Sequence, residues 1–182
     1  MLAGDALQAE AFRTLLHSGI EVLKTNEMAR ILSEAAGPEG ICGGQYLDLR
    51  SDGKQRGIDE LLELYRMKTT ALISAAARMG VVAGGGSQEQ IDAAGYYANS
   101  VGLAFQLRDD ILDYSSTAEE FGKPIGSDRE NNKTTIASLI GTSGCEKMIW
   151  EETEKAIEAI SGRFSDTSFL SWLARFLSDR KS

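Results

Sequence analysis

Two prolines, Pro38 and Pro124, are the only ones in 182 residues, so long stretches of this chain can continue as helix without interruption. Apolar residues recur mostly three or four positions apart, which is the spacing of one face of a helix packed on other helices. No segment shows sustained alternation with a period of two. The pattern therefore predicts an all-α fold, and 182 residues are enough for one compact domain.

Glycine and proline positions divide this pattern into segments. Turns are predicted at 37–38, 84–86 and 122–124, because proline cannot continue a helix and glycine tolerates left-handed geometry. The predicted helices cover residues 5–17, 20–36, 58–80, 88–114, 134–141, 144–162 and 166–180.

The charge balance and the cysteine content exclude several classes of protein. The chain carries 27 acidic and 19 basic side chains, a formal net charge of -8, which argues against general attraction to nucleic acid or to anionic membranes. Cys42 and Cys145 lie far apart without neighbouring metal ligands, so the sequence predicts neither a disulfide framework nor a zinc site. Without a long apolar run or a leader pattern, the expected location is the cytoplasm, with no membrane insertion.

An acidic stripe runs along the predicted helix 88–114. At about 100° per residue, Gly102, Gln106, Asp109 and Asp113 fall within a sector about 60° wide, with Asp110 at its edge. The residues on both sides are apolar. Carboxylates four residues apart on such a helix need a cation, and oxygen ligands without nearby His or Cys favour a hard ion such as Mg²⁺. The alternative is an acidic face in contact with solvent.

Lysines elsewhere in the chain could bind an anion beside that stripe. Lys123 and Lys133 belong to a glycine-bearing loop that could close over a phosphate, although lysines in polar loops are commonly solvated. Lys68 and Thr69 lie inside an apolar helix, where they could present a charge and a hydroxyl to the same phosphate or leave the lysine at the surface. The residues alone leave open both a phosphate-binding site and lysines in contact with solvent.

Gln45 and Asp48 follow a glycine pair and are one helical turn apart. They could face the same cavity as the lysines, or they could cap or turn the chain. The sequence leaves both readings open.

In combination, these segments resemble the trans-isoprenyl diphosphate synthases, also called polyprenyl diphosphate synthases. The order and spacing match over essentially the whole chain, and the loop after the acidic stripe is similar to that of bacterial farnesyl or geranylgeranyl diphosphate synthases. The resemblance rests on Gly4-Asp5-Ala6-Leu7, Gly44-Gln45 with Asp48, Lys68-Thr69, Phe105-Gln106, Asp109-Asp110-Ile111-Leu112-Asp113, Gly122-Lys123, Gly126, Asp128 and Lys133.

The resemblance implies a helical bundle of the isoprenoid synthase type around a deep cavity. Members condense an allylic diphosphate with isopentenyl diphosphate, and two facing aspartate-rich motifs hold Mg²⁺ on the allylic diphosphate. It further implies a homodimer. For this chain it implies Asp109 as a direct Mg²⁺ ligand, with Asp110 and Asp113 assisting through water or outer contacts.

The same resemblance implies the roles of the other polar residues. Lys68, Lys123 and Lys133 would bind the allylic diphosphate, and Thr69 and Gln106 would line its site. Of these residues, Lys68, Gln106 and Lys123 would take part in catalysis.

One part of the family pattern is missing. The first aspartate motif normally precedes the helix that begins here near Gly4, and the sequence contains no counterpart. The resemblance therefore implies that residues 1–182 are the C-terminal part of a single polyprenyl synthase domain. We expect an N-terminally truncated prenyltransferase that is inactive, or nearly so, on its own. The alternative is a noncatalytic partner subunit of a heteromeric prenyl diphosphate synthase. A terpene cyclase is disfavoured, because its second metal motif usually mixes Asn, Ser or Thr with Glu.

Overall fold

The computed structural model describes residues 2–50, 55–115 and 134–180, with the side chains of 114 and 115 excepted. These ranges contain helices and no strand, which confirms the all-α prediction. None of the described helices combines the length and the apolar character that a bilayer crossing requires. The elements are α1 (Leu2–Leu16), α2 (Val22–Ala36), α3 (Ile41–Leu49), α4 (Ile58–Tyr65), a π-helical turn (Arg66–Thr70), α5 (Ala71–Ala83), α6 (Gln88–Ser115), α7 (Ile136–Ile160) and α8 (Ser168–Asp179).

Helix α6 is the central element of the bundle. Leu107, which is fully buried, belongs to an apolar cluster shared with α4 and α7. Ile91 joins a second cluster with α2 and α5, and Ala98 joins a third with the C-terminal part of α7 and with α8. Because all three clusters include residues of α6, the rotation of this helix is fixed, and so is the direction in which its polar side chains point.

The helix ends agree with the local signals in the sequence. Helix α2 ends directly before Gly37-Pro38, and α5 ends before Gly85, whose φ of 77° is the left-handed conformation that glycine supplies. At the start of α7, the Thr135 Oγ1 accepts a hydrogen bond from the Ser138 N–H at 3.2 Å. Ser138 Oγ in turn accepts from the Thr135 N–H at 3.0 Å, which completes a capping box.

Two features differ from the predicted helices. Helix α3 was not predicted, since two adjacent glycines give its segment poor intrinsic helix propensity. The predicted helix 58–80 is interrupted by the π-helical turn. The predicted division between helices 134–141 and 144–162 is present within α7, where Gly141 with φ 73° and ψ 169° breaks the helical backbone.

Close packing explains why α3 forms where it does. A Cβ placed on Gly44 would lie 2.5 Å from the backbone nitrogen of Lys68, so α3 touches the backbone of the π-helical turn directly. Tertiary contact of this kind outweighs local propensity. It also brings the polar residues of α3 next to those of the turn.

Candidate functional site

A polar face is formed where α3, the π-helical turn and α6 meet. We define it by Asp48, Lys68, Thr69, Gln106 and Asp109. Lys68 Nζ lies 2.5 Å from Asp48 Oδ2, and Thr69 Oγ1 donates a hydrogen bond to Gln106 Oε1 at 2.9 Å. The structure thus brings the predicted site residues Lys68, Thr69 and Gln106 together with Asp48, from three segments of the chain. Asp109 follows Gln106 by three residues on α6.

The π-helical turn determines how Lys68 and Thr69 are presented. A π-helical turn accommodates an extra residue and commonly occurs at functional sites. Here Lys68 contacts α3 while Thr69 contacts α6, and the following Thr70 is buried. A Cβ on Gly102 would lie 2.8 Å from Thr70 Cγ2, so the small residue at 102 lets α6 approach the turn.

The ion pair between Asp48 and Lys68 lies in a partly buried position, with 13% of the Asp48 side chain and 39% of the Lys68 side chain exposed. The carboxylate holds the ammonium group in one place and leaves it accessible from outside. Of the two open readings for Asp48, the structure supports the one in which it faces the same site as Lys68. Gln45, one turn earlier in α3, is exposed.

Asp109 is paired with an arginine from the end of the described chain. Arg180 Nη2 contacts Asp109 Oδ1, and the Arg180 guanidinium carbon lies 4.1 Å from the centre of the Phe105 ring. Burial, and then the positive charge of Arg108, lower the pKa of Arg180. The predicted need for a cation beside the acidic stripe is met here by a side chain that the sequence analysis did not single out, since only tertiary structure places α8 beside α6.

Asp110 has very different surroundings from Asp109. Its side chain is buried, and Oδ2 accepts hydrogen bonds from the Tyr65 hydroxyl at 2.6 Å and from the Ile136 N–H at 3.2 Å. Burial, and then the Asp110 charge, raise the pKa of Tyr65. Asp110 therefore ties α6 to α4 and α7, and its predicted part in metal binding remains a prediction.

The other predicted site residues contribute less to this description. Asp113 lies on α6 and is exposed, while Lys123 and Lys133 fall outside the described residues. Among the residues that the structure describes, no group of three or more His, Cys, Asp or Glu side chains is placed to hold a metal ion. Mg²⁺ commonly uses only one or two carboxylates together with phosphate oxygens and water. The Asp109 carboxylate, which already attracts a cation, fits the binding of Mg²⁺ by a single side chain.

The thiol of Cys145, in the core beside Asp110, should make the stability of the chain depend on pH in the alkaline range. This thiol is buried, and burial followed by the Asp110 charge raises its pKa from the ordinary value of 9.0 to about 11. Between these values the unfolded thiol loses its proton while the folded thiol keeps it, so the stability it contributes is complete below about pH 9 and is lost as the pH rises towards 11.

We expect the Cys145 contribution to the free energy of unfolding to fall by about 2 kcal/mol across that interval. Urea unfolding measured at several pH values should give a smaller alkaline loss for Cys145→Ala than for the unmodified chain. Parallel pH profiles for the two proteins would contradict the prediction.

The described helices match the helical folds of solved isoprenoid synthases, which places this chain in that fold class. Within that class, the family model for polyprenyl synthetase matches residues 1–168. The chain belongs to the polyprenyl synthetase family, as the resemblance predicted.

Individual relatives agree with this assignment. The farnesyl diphosphate synthase of Escherichia coli K12 is 36% identical over 187 residues, which cover 99% of this chain and 62% of that enzyme. The geranylgeranyl pyrophosphate synthetase of Pyrococcus horikoshii Ot3 superposes with a TM-score of 0.88 at 26% identity, over 98% of this chain and 66% of that one.

The geranyltransferase of Helicobacter pylori, solved with magnesium and isoprenyl diphosphate, superposes with a TM-score of 0.79 at 28% identity, over 97% of this chain and 58% of that one. The chain spans 62% of the length of the Escherichia coli relative. Residues after 168, including Arg180, lie beyond the part that the family model matches.

Proposed function

We propose that this chain carries the second aspartate motif and the allylic diphosphate site of a prenyltransferase. The whole enzyme would condense an allylic diphosphate with isopentenyl diphosphate. The observation that carries the proposal is the meeting of Lys68 and Thr69 with Gln106, three residues before Asp109 on α6, in a chain of the polyprenyl synthetase family.

The contacts of Lys68 and Thr69 suggest how these residues act. Asp48 fixes the Lys68 ammonium group, which can then bind diphosphate oxygens without first losing much side-chain freedom. The Thr69 hydroxyl orients the Gln106 amide by donating to its carbonyl oxygen. That oxygen can face the positive charge that develops on the allylic carbon when the diphosphate leaves. Lys123 and Lys133 are proposed as further diphosphate ligands from the resemblance.

Mg²⁺ is proposed as the cofactor, held by Asp109 directly and by Asp110 and Asp113 through outer contacts. When bound, it would neutralise the charge that accumulates on the leaving diphosphate. Asp109, with 33% of its side chain exposed, is the more accessible member of the adjacent pair 109–110. Buried Asp110 would hold α6 in the position that presents Asp109.

The isolated chain is proposed to be inactive, because the family's first aspartate motif has no counterpart in its sequence. Helix α1 suggests that the active enzyme includes further polypeptide, because α1 has no buried residue and Leu2, Leu7 and Leu16 are exposed.

A cytoplasmic location and a homodimer are also proposed from the resemblance. The same apolar surface also supports the alternative of a noncatalytic partner subunit that binds a complete synthase.

Prenyl transfer tests the proposal directly. The chain would be assayed alone and fused to the preceding segment of the Escherichia coli relative, with Mg²⁺, isopentenyl diphosphate and a set of allylic diphosphates, and products would be read by mass spectrometry. We expect the chain alone to give no longer diphosphate and the fusion to give one that disappears in Asp109→Ala.

Two other outcomes would change the assignment. Product from the chain alone would show that the inactivity proposal is wrong. A folded but inactive fusion, combined with copurification of the chain with a complete synthase, would favour the partner subunit.

A further inference from the structure

The last described residue of the chain, Arg180, reaches the polar face from α8. Its guanidinium contacts the Asp109 carboxylate and stacks on the Phe105 ring, and 22% of its side chain is exposed. Its Nε is buried and has no hydrogen-bond partner among the residues that the structure describes. The arginine is therefore held at Asp109 by charge and by the ring, while part of its hydrogen-bonding capacity is unused.

Contacts to the preceding turn of α8 place this arginine. Arg108 Nε on α6 donates to the Ser178 carbonyl at 2.6 Å. Ser178 Oγ lies 2.5 Å from Thr153 Oγ1 on α7 and donates to the Ala174 carbonyl at 2.7 Å. Since Ser178 is buried between two helices, α8 can remain docked while the Arg180 side chain, two residues further on, changes its partner.

We propose that Arg180 is a built-in counter-ion of Asp109 that competes with a divalent metal ion for this carboxylate. The inference rests on the proposed function, which makes Asp109 the metal ligand. Arg180 occupies Asp109 Oδ1, and its positive charge repels a divalent cation that approaches the same carboxylate, so metal binding is tighter once the Arg180 side chain has left. The ion pair would lower the apparent metal affinity and keep the acidic stripe neutralised until metal and diphosphate arrive together.

A double-mutant cycle in metal-free protein tests the contact itself. Melting temperatures would be measured for Arg180→Gln, Asp109→Asn and the double variant, with Arg175→Gln as the control. Arg175 is exposed on α8 and pairs with Glu154, away from Asp109. We expect the first two variants to lower the melting temperature, and the double variant to lie well above the value that adding their effects would give. Additive effects would overturn the proposed counter-ion.

A Mn²⁺ titration followed by electron paramagnetic resonance tests the competition, with Mn²⁺ standing in for Mg²⁺ because both prefer octahedral oxygen ligands. Arg180→Gln should bind Mn²⁺ about fivefold more tightly or better. Arg175→Gln should match the unmodified chain, and Asp109→Asn should lose the site.

The outcomes separate this inference from the proposed function. Equal Mn²⁺ affinity in Arg180→Gln and the unmodified chain, with loss in Asp109→Asn, would reject the competition and leave the metal site intact. Absence of Asp109-dependent binding in every protein would reject both the metal site and the competition.

Discussion

Replacement of Asp110 by alanine is expected to lower the free energy of unfolding by about 3 kcal/mol, because two buried donors would each lose their acceptor. These donors are the Tyr65 hydroxyl at 2.6 Å and the Ile136 N–H at 3.2 Å from Asp110 Oδ2. Their loss would weaken the packing of α6 on both α4 and α7. Urea denaturation followed by circular dichroism measures the effect.

Asp109→Ala is the matched control one residue away. Its side chain is 33% exposed and pairs with Arg180 rather than with the core, so we expect a loss of about 1 kcal/mol or less. Asp109→Ala should act on function instead of stability, because it should remove Mn²⁺ binding from a protein that stays folded. Similar losses of stability at both positions would contradict the division of roles within the aspartate motif.

Gly44→Ala is expected to destabilise the chain by about 2 kcal/mol, although alanine is the better helix former. The added Cβ would lie 2.5 Å from the backbone nitrogen of Lys68 and 2.8 Å from its Cα, and backbone atoms cannot turn aside as a side chain can. Helix α3 would have to move away from the π-helical turn and would take Asp48 with it. Urea denaturation again provides the measurement.

Gly80→Ala supplies a control within another helix. A Cβ on Gly80, in α5, meets nothing within 4 Å, so this substitution should be neutral or stabilise the chain by up to about 1 kcal/mol. If Gly44→Ala proved as harmless as Gly80→Ala, α3 would not be packed tightly against the turn, and the account of how the polar face is held together would be wrong.

The sequence predicted the long helices well, because their apolar spacing directly reflects burial. The residues beside the acidic stripe were predicted to be apolar, and Leu107, which flanks it, is buried, as is Ile111 on the opposite side of α6. Helix α3 and the π-helical turn escaped prediction for a common reason. Both take part in the contact between Gly44 and the backbone of Lys68, which joins segments that are 24 positions apart in the sequence. No local pattern contains that information.

The polar face was predicted in its members but not in its pairings. Helical geometry placed Gln106 and Asp109 in one sector of α6, and a charge and a hydroxyl inside an apolar helix pointed to Lys68 and Thr69. Neither could give the burial of Asp110, since its hydrogen bonds come from α4 and α7. Periodicity alone puts Asp110 at the edge of the stripe, and the neighbouring helices determine that this edge is inside the core.

The position of Arg180 beside Asp109 could not be predicted from the sequence. The acidic stripe required a cation, yet the distance from residue 109 to residue 180 gives no reason to choose this arginine. The contact of Arg108 with the Ser178 carbonyl docks the end of α8 on α6 and thereby brings Arg180 to Asp109. The sequence alone predicts that the acidic stripe needs a cation, whereas only the fold shows that Arg180 is that cation.

Binding of an unreactive thiolo analogue of an allylic diphosphate is the most direct test that the polar face is a prenyl diphosphate site. Calorimetry with and without Mg²⁺ would compare the unmodified chain with Lys68→Ala and with Arg163→Ala, an exposed arginine that pairs with Glu89 on another part of α6. We predict Mg²⁺-dependent binding that is lost in Lys68→Ala and retained in Arg163→Ala. Binding that is absent from the unmodified chain, or unchanged in Lys68→Ala, would contradict the proposed site.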